Sequence, residues 1–101
     1  MTRFVFAWDE AKNRLNRKNH KVSFETAARV FDDPFHLSDQ DRVEDGEERW
    51  QTLGQVGGVT LLLVAHTITE GDAGEGEPVE VIRIISARKA ERHERKRYEE
   101  G

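Results

Sequence analysis

Cysteine is absent from this chain of 101 residues, and proline occurs only twice. Without cysteine, neither a disulfide framework nor a thiolate metal site can form. Long hydrophobic runs are also missing, because the longest, Val59 to Ala65, is far too short to span a bilayer. The first residues show no apolar stretch followed by a small-residue cleavage site, which argues against a secretory signal. We therefore expect a cytoplasmic protein with no membrane partner.

The chain is poor in apolar residues and rich in charged ones. Hydrophobic and charged residues each make up 36% of the sequence, whereas charged residues usually make up about 25% of a globular chain. This composition predicts a small core under a surface crowded with ion pairs. The length, together with the lack of a linker-like segment, predicts a single domain over residues 1–101.

The net charge of −4 argues at first against a nucleic-acid ligand, but the charges are unevenly distributed. Residues 12–21 contain five lysines and arginines and no acid, and residues 83–98 contain seven against two acids. The acidic residues are concentrated in 32–48 and 70–80. A phosphate group responds to the local potential rather than to the net charge. If the two basic segments meet in space, they form a positive face on an acidic protein.

Residue patterns and turn residues predict the order β-α-α-β-β-β-β-α. Asp9 and Ser23 are N-cap candidates for the first two helices, and Asp45-Gly46 and Gly57-Gly58 are typical of hairpin turns. Residues 71–78 (GDAGEGEP) predict a flexible, acidic hairpin loop. The predicted strands cover 4–8, 36–43, 48–56, 59–69 and 79–86, and the predicted helices cover 10–19, 24–31 and a closing segment from Ser86 or Ala87 to about residue 100.

This order predicts an α+β fold. Consecutive strands joined by short turns favour an antiparallel β-meander. The helices are expected to pack together on one face of that sheet, because an amphipathic helix must bury its apolar stripe against another layer.

Three segments of the sequence carry a resemblance to a known family. They are residues 6–13 (FAWDEAKN) continuing through 16–20 and 22–27, residues 30–34 (VFDDP), and residues 81–90 with Glu94, Arg95 and Tyr98. In this order and spacing they resemble BrnT-family toxins over nearly the whole chain. One departure is Lys21, which stands where the family pattern has glycine. A left-handed backbone at that position is less easy for lysine than for glycine.

The resemblance implies a RelE-like fold and a ribonuclease activity that inhibits translation. It also implies a cognate antitoxin of the BrnA type that neutralises the toxin. Operator DNA would then be bound only through the antitoxin complex.

A metal-independent ribonuclease needs a base, an acid and cations that stabilise the phosphorane. On the last predicted strand Arg83 points away from its apolar neighbours, towards the open side of the sheet, and Arg49 is predicted to face the same side. Arg88 is predicted at the start of the closing helix, where backbone N–H groups favour an anion. The alternatives are that an acid on a neighbouring strand satisfies Arg83 and that Arg88 covers the sheet edge. The fourth catalytic candidate, His20, matches the family's Lys-x-His pattern through Lys18, but it could instead be a capping cation of the first helix.

Four further residues are candidates for RNA binding: Lys18, Lys89, Arg95 and Tyr98. Lys89 adjoins Arg88, and Arg95 matches the family pattern, although its neighbours favour a solvated helix face. Tyr98 could stack on an RNA base or be the large apolar anchor of the closing helix.

The sequence predicts neither a metal site nor a cofactor. No two histidines have His-x-x-His or His-x-x-x-His spacing, and His66 is expected to be structural. Residues 39–45 resemble a calcium loop, but they lack its central glycine.

Three functional hypotheses follow. The first is a BrnT-like endoribonuclease toxin that acts through its arginine-rich surface and that an antitoxin holds inactive. The second is a non-catalytic module that binds RNA or only its partner. The third is an assembly subunit of a DNA-bound repressor complex, in which the acidic and apolar residues would form the functional surface.

Overall fold

The computed structural model describes residues 3–72, 74 and 76–101 of the chain. The order of their helices and strands matches the predicted order. The strands are β1 (Arg3–Ala7), β2 (Leu37–Glu44), β3 (Glu47–Val56), β4 (Thr60–Asp72) and β5 (Pro78–Lys89), and the helices are α1 (Glu10–His20), α2 (Phe24–Ala28) and α3 (Arg92–Glu100). A 3₁₀ turn, Arg29–Asp32, follows α2. The predicted loop at 71–78 includes residues 73 and 75, which lie outside the described residues.

The five strands form one mixed sheet in the order β1-β5-β4-β3-β2. Successive strands from β2 to β5 are antiparallel neighbours, as the hairpin turns predict. β1 instead lies parallel to β5, with Val5 opposite Val81, so the prediction of a wholly antiparallel sheet is wrong. The reason is that β1 is joined to the rest of the sheet through helices, and no tight turn imposes an antiparallel direction on it.

The two faces of the sheet are covered differently. On one face, Val22, Phe24 and Val30 of the α1–α2 layer pack on Leu62 and Ile84 of the sheet. The opposite face, called the open face below, is covered at one end by α3, whose Tyr98 packs on Leu53, Leu61 and Leu63. The prediction that all helices share one face is therefore wrong for α3. Since β4 is apolar on both sides between Leu61 and Val64, both of its faces need a cover.

The closing helix begins later than predicted. β5 continues to Lys89, which lies opposite Leu62 of β4, and α3 begins only at Arg92. A capping box between Glu91 and Glu94 fixes this start. The prediction that Arg88 and Lys89 lie at the start of a helix is therefore wrong, because both residues belong to a strand.

The turns follow the residue types that the sequence supplies. Asp45 and Gly46 both have positive φ angles, as do Gly57 and Gly58, so both predicted hairpin turns are confirmed. Lys21 also lies in the left-handed region, with φ 60° and ψ 25°, where it ends α1. The backbone thus has the conformation that favours glycine at this position, and here lysine adopts it.

Two buried asparagines fasten α1 to its neighbours. The Asn13 side-chain Oδ1 accepts the Phe24 N–H at 2.8 Å, and this bond joins α1 to the start of α2. The Asn16 amide donates to the Ala87 carbonyl at 2.8 Å and accepts the Ala87 N–H at 3.2 Å. Because β1 pairs with β5 only as far as Arg83, the Asn16 side chain takes the place of a strand farther along this edge of β5.

Asp33 connects the loop before β2 to both β3 and α3. Its carboxylate accepts the N–H groups of Phe35 and Gln55 and the hydroxyl of Tyr98. Desolvation raises the pKa of Asp33, but these hydrogen bonds outweigh it, and the pKa lies below its ordinary value. The Asp-Pro sequence that ends the 3₁₀ turn thus also supplies the anchor for α3. No helix in the described part of the chain is long and apolar enough to cross a membrane.

Candidate nucleic-acid interface

Three polar side chains form a row across the open face of the sheet. Thr67 of β4 lies opposite Arg83 of β5. On β3, Trp50 lies opposite His66, so the register places Arg49 beside Thr67. Side chains at opposed positions of neighbouring strands project to the same face. Arg49, Thr67 and Arg83 therefore lie side by side on three adjacent strands.

This row forms the floor of a pocket of about 120 Å³. β1 ends at Ala7, opposite Arg83, and the chain then enters α1, which brings Asp9 and Lys12 to the pocket wall. Glu47 precedes Arg49 by two positions on β3 and shares its face. We call this site the cationic pocket; it is lined by Asp9, Lys12, Glu47, Arg49, Thr67, Arg83, Ile84 and Ile85.

Arg49 is only partly neutralised. Its side chain is 22% exposed, and one Nη lies 4.0 Å from the Glu47 carboxylate, a distance too long for a hydrogen bond. The Arg49 Nε is buried and has no hydrogen-bond partner among the described residues. An unsatisfied buried donor is costly.

Arg83 is exposed and carries its charge into the same pocket. Within residues 3–72, 74 and 76–101, no carboxylate forms an ion pair with it. An acid on a neighbouring strand therefore does not satisfy Arg83 in the described part of the chain. The predicted facing of Arg49 and Arg83 is confirmed, and the structure adds Lys12 as a third cation.

Arg88 lies outside this pocket and is bound to an acid. Its two Nη atoms donate to the two Glu94 oxygens at 2.8 Å each, and Glu91 lies 3.5 Å away. The hydrogen bonds to Glu94 raise the pKa of the Arg88 guanidinium, and the same bonds lower the pKa of Glu94. In this arrangement Arg88 joins β5 to the first turn of α3.

The other candidates from the sequence are exposed but do not line the cationic pocket. Lys18 and His20 lie in the last turn of α1, whereas Lys12 reaches the pocket from the first turn. Lys89 ends β5 and Arg95 lies on the outer surface of α3. Of the basic residues in the two segments, only Lys12 and Arg83 line the cationic pocket.

Tyr98 anchors α3 to the sheet. Its ring packs against Leu53, Leu61 and Leu63, and its hydroxyl donates to Asp33. Burial and the Asp33 carboxylate raise the pKa of Tyr98 to about 12. This geometry agrees with the anchor alternative, and it leaves the ring less free to stack on a base.

The histidines do not form a second site. His66 is fully buried between Thr52 and Phe31, and burial lowers its pKa to about 4. It is therefore neutral at pH 7 and structural, as the sequence predicts. In the part of the chain that the structure describes, no group of three or more histidine and carboxylate side chains is arranged to hold a metal ion.

Sequence reasoning missed Lys12, Thr67 and Glu47 as members of the site. Thr67 could have been found from the register of β4 against Arg83, but a bulge between Ala65 and His66 shifts that register. Lys12 lies in the basic run that the sequence shows, although only the parallel placement of β1 brings it to Arg83. Glu47 carries no distinguishing signal among its acidic neighbours.

Comparison with known proteins identifies related chains. A family model described as the ribonuclease toxin BrnT of type II toxin–antitoxin systems matches residues 8–94. Among solved structures, the chain is similar to the 1.1 Å crystal structure of the Brucella abortus ribonuclease toxin, BrnT, with a TM-score of 0.55 and 18% sequence identity. That match covers 90% of this chain and 100% of the other, and at this identity it shows a shared fold. No curated protein matches the chain.

Proposed function

Because this chain belongs to the BrnT ribonuclease toxin family of type II toxin–antitoxin systems, we propose that it cuts RNA in the cationic pocket without a metal ion. The observation that carries the proposal is the convergence of Lys12, Arg49 and Arg83 on a pocket of about 120 Å³. RNA carries one negative charge on each phosphodiester, and the three cations of the pocket would attract that charge.

The pocket supplies the cations that transesterification requires. The planar guanidinium groups of Arg49 and Arg83 bind the two non-bridging phosphate oxygens. Lys12 adds a third positive charge from the side of α1. The phosphorane carries more charge on these oxygens than the substrate does, so the pocket binds the transition state more tightly than the ground state.

As a toxin of this family, the chain would inhibit translation by cutting messenger RNA in the cytoplasm. Its cognate antitoxin, of the BrnA type, would block the activity, and operator DNA would be bound only by the antitoxin complex. The sheet with helices on both faces supports a relation to the RelE-like fold. We place the whole activity in one domain over residues 1–101.

The test is cleavage of a single-stranded RNA by the purified chain in the presence of EDTA. We expect a 2′,3′-cyclic phosphate and a 5′-hydroxyl at the cut, and no cleavage of the same sequence with 2′-O-methyl groups. Substitution of Arg49→Gln or Arg83→Gln should lower kcat by about 100-fold or more, as the loss of one transition-state donor does elsewhere.

The matched control is Arg29→Gln, which removes the same charge from the 3₁₀ turn, outside the cationic pocket. This variant should cleave RNA at the wild-type rate. Loss of activity in EDTA that Mg²⁺ restores would overturn metal independence. RNA binding without cleavage under either condition would favour the non-catalytic binding module, and neither binding nor cleavage would favour the assembly subunit.

A further inference from the structure

We propose that Glu47 is the general base of the cationic pocket and accepts the proton of the RNA 2′-hydroxyl. This inference rests on the proposed ribonuclease function and names a group that the sequence analysis does not single out. It follows from the position of Glu47 beside the phosphate-binding cations and from the elimination of the other proton acceptors.

Glu47 lies where a base can act on a bound phosphodiester. It occupies the same face of β3 as Arg49, and its carboxylate is 4.0 Å from the Arg49 guanidinium. The side chain is 47% exposed, and no hydrogen bond in the described structure ties it to another group. A carboxylate next to an arginine that binds the phosphate can reach the adjacent ribose hydroxyl, because the 2′-hydroxyl is on the carbon next to the C3′ atom that bears the phosphate.

The second carboxylate of the pocket, Asp9, is committed to the backbone. Its Oδ1 accepts the N–H groups of Ala11 at 2.8 Å and Lys12 at 3.3 Å, and it thereby caps α1. Protonation of Asp9 would weaken this cap at the positive end of the helix. Asp9 is therefore a poor acceptor during turnover.

No histidine is available to the pocket. None of the four histidines lines it. His66 is buried and hydrogen-bonded to Thr52, and a His36 ring nitrogen lies 2.8 Å from the Asp33 carbonyl. His20 closes α1 at the end away from the pocket, and His93 lies on α3.

The chemical step balances with the groups present. Glu47 takes the proton from the 2′-hydroxyl, and the freed electron pair of the 2′-oxygen forms a bond to phosphorus. The bond from phosphorus to the 5′-oxygen breaks, and that oxygen takes a proton from the Lys12 ammonium group. The products are a 2′,3′-cyclic phosphate and a 5′-hydroxyl, and solvent then returns Glu47 and Lys12 to their starting protonation states.

The experiment compares Glu47→Gln with Glu48→Gln. Glu48 is the next residue on β3, it is exposed, and it projects to the opposite face. Both variants remove one negative charge from the same strand, so long-range electrostatic effects are matched. The measurements are kcat for RNA cleavage from pH 4 to 9 and the Kd for the uncleavable 2′-O-methyl RNA.

We expect Glu47→Gln to lower kcat by about 100-fold or more, the usual contribution of a general base. Its Kd for the 2′-O-methyl RNA should stay the same or fall, since a negative charge has left the pocket. The acidic limb of the pH–rate profile should disappear in this variant only, and Glu48→Gln should behave as the wild type does.

A Glu47→Gln variant with kcat within about threefold of the wild type would overturn the assignment. If Arg49→Gln is inactive in the same experiment, the proposed ribonuclease function stands, and only the assignment of Glu47 as its general base is wrong. A variant with weaker RNA binding and unchanged kcat would also overturn it, because Glu47 would then only position the substrate. A wild-type chain that cleaves no RNA would overturn both proposals.

Discussion

Replacement of Asn16 by alanine tests how the edge of β5 is held. The Asn16 side chain is 6% exposed and makes three buried hydrogen bonds. It donates to the carbonyls of Val22 and Ala87 at 2.8 Å each, and it accepts the Ala87 N–H at 3.2 Å. Asn16→Ala therefore leaves two carbonyls and one N–H group without their partner.

The expected loss follows from these three bonds. Each neutral hydrogen bond contributes about 1 kcal/mol net to the free energy of unfolding. The higher helix propensity of alanine offsets roughly 0.5 kcal/mol of this loss. The net destabilisation is therefore about 2–3 kcal/mol, a large share of the roughly 5–15 kcal/mol that stabilises a domain.

Urea denaturation followed by tryptophan fluorescence and far-ultraviolet circular dichroism measures this loss. In thermal unfolding the Tm should fall by about 10–20 °C, since 1 kcal/mol corresponds to roughly 4–8 °C in a chain of this size. Asn19→Ala is the matched control, because Asn19 is exposed on the same helix, and it should leave stability unchanged or slightly higher. If Asn16→Ala and Asn19→Ala unfold at the same urea concentration, the side chain does not replace a strand at this edge.

Three further substitutions probe the backbone and the anchors of the fold. Gly54→Ala should destabilise the chain by about 1–3 kcal/mol in urea denaturation. The new Cβ would lie 2.5 Å from a Val30 methyl group and 2.9 Å from the Val30 carbonyl oxygen. An unchanged urea midpoint would show that the 3₁₀ turn moves freely. Lys21→Gly should stabilise the chain by about 0.5 kcal/mol, because the left-handed backbone strains lysine but not glycine, and the relief of this strain outweighs the larger entropy that glycine loses on folding. A lower Tm would contradict this. The raised pKa of Tyr98, about 12, stabilises the fold at pH values below the ordinary tyrosine pKa, and this contribution is lost as pH rises towards 12. Tyr98→Phe should therefore have a lower free energy of unfolding at pH 8, and that free energy should change less between pH 10 and 12 than in the wild type. Parallel curves of stability against pH for the two proteins would refute the role of the Asp33 bond.

Local signals predicted most of the elements, because their causes are local. The caps at Asp9 and Ser23 and the turns at Asp45-Gly46 and Gly57-Gly58 depend on residues a few positions apart, and each is present. The facing of Arg49 and Arg83 followed from the two-residue period of a strand in the same way.

The missed features depend on contacts distant in sequence. β5 runs on to Lys89 because β4 offers it a partner as far as Leu62, and no residue near Ser86 indicates this. The parallel placement of β1 likewise depends on the path of two helices, and that path brings Lys12 to Arg83. The pocket was therefore only half predictable. Its arginines follow from strand periodicity, whereas Lys12 and Thr67 follow from topology, and Glu47 lies one residue before the predicted strand.

Arg88 shows why a loss of activity alone does not identify a catalytic residue. The sequence places it among the phosphate-binding candidates, but both of its Nη atoms donate to Glu94. Arg88→Gln should therefore cost about 1–2 kcal/mol of stability, since the pair is only partly buried. Glu94→Gln breaks the same ion pair and leaves the cation in place, while the amide oxygen can still accept the Glu91 N–H. If Arg88 only fixes α3 on the sheet, the free energy of unfolding falls by the same amount in both variants, and so does the rate of RNA cleavage. This is the outcome we expect. A much lower kcat in Arg88→Gln than in Glu94→Gln, at equal stability, would instead show that the guanidinium leaves Glu94 and contacts the RNA.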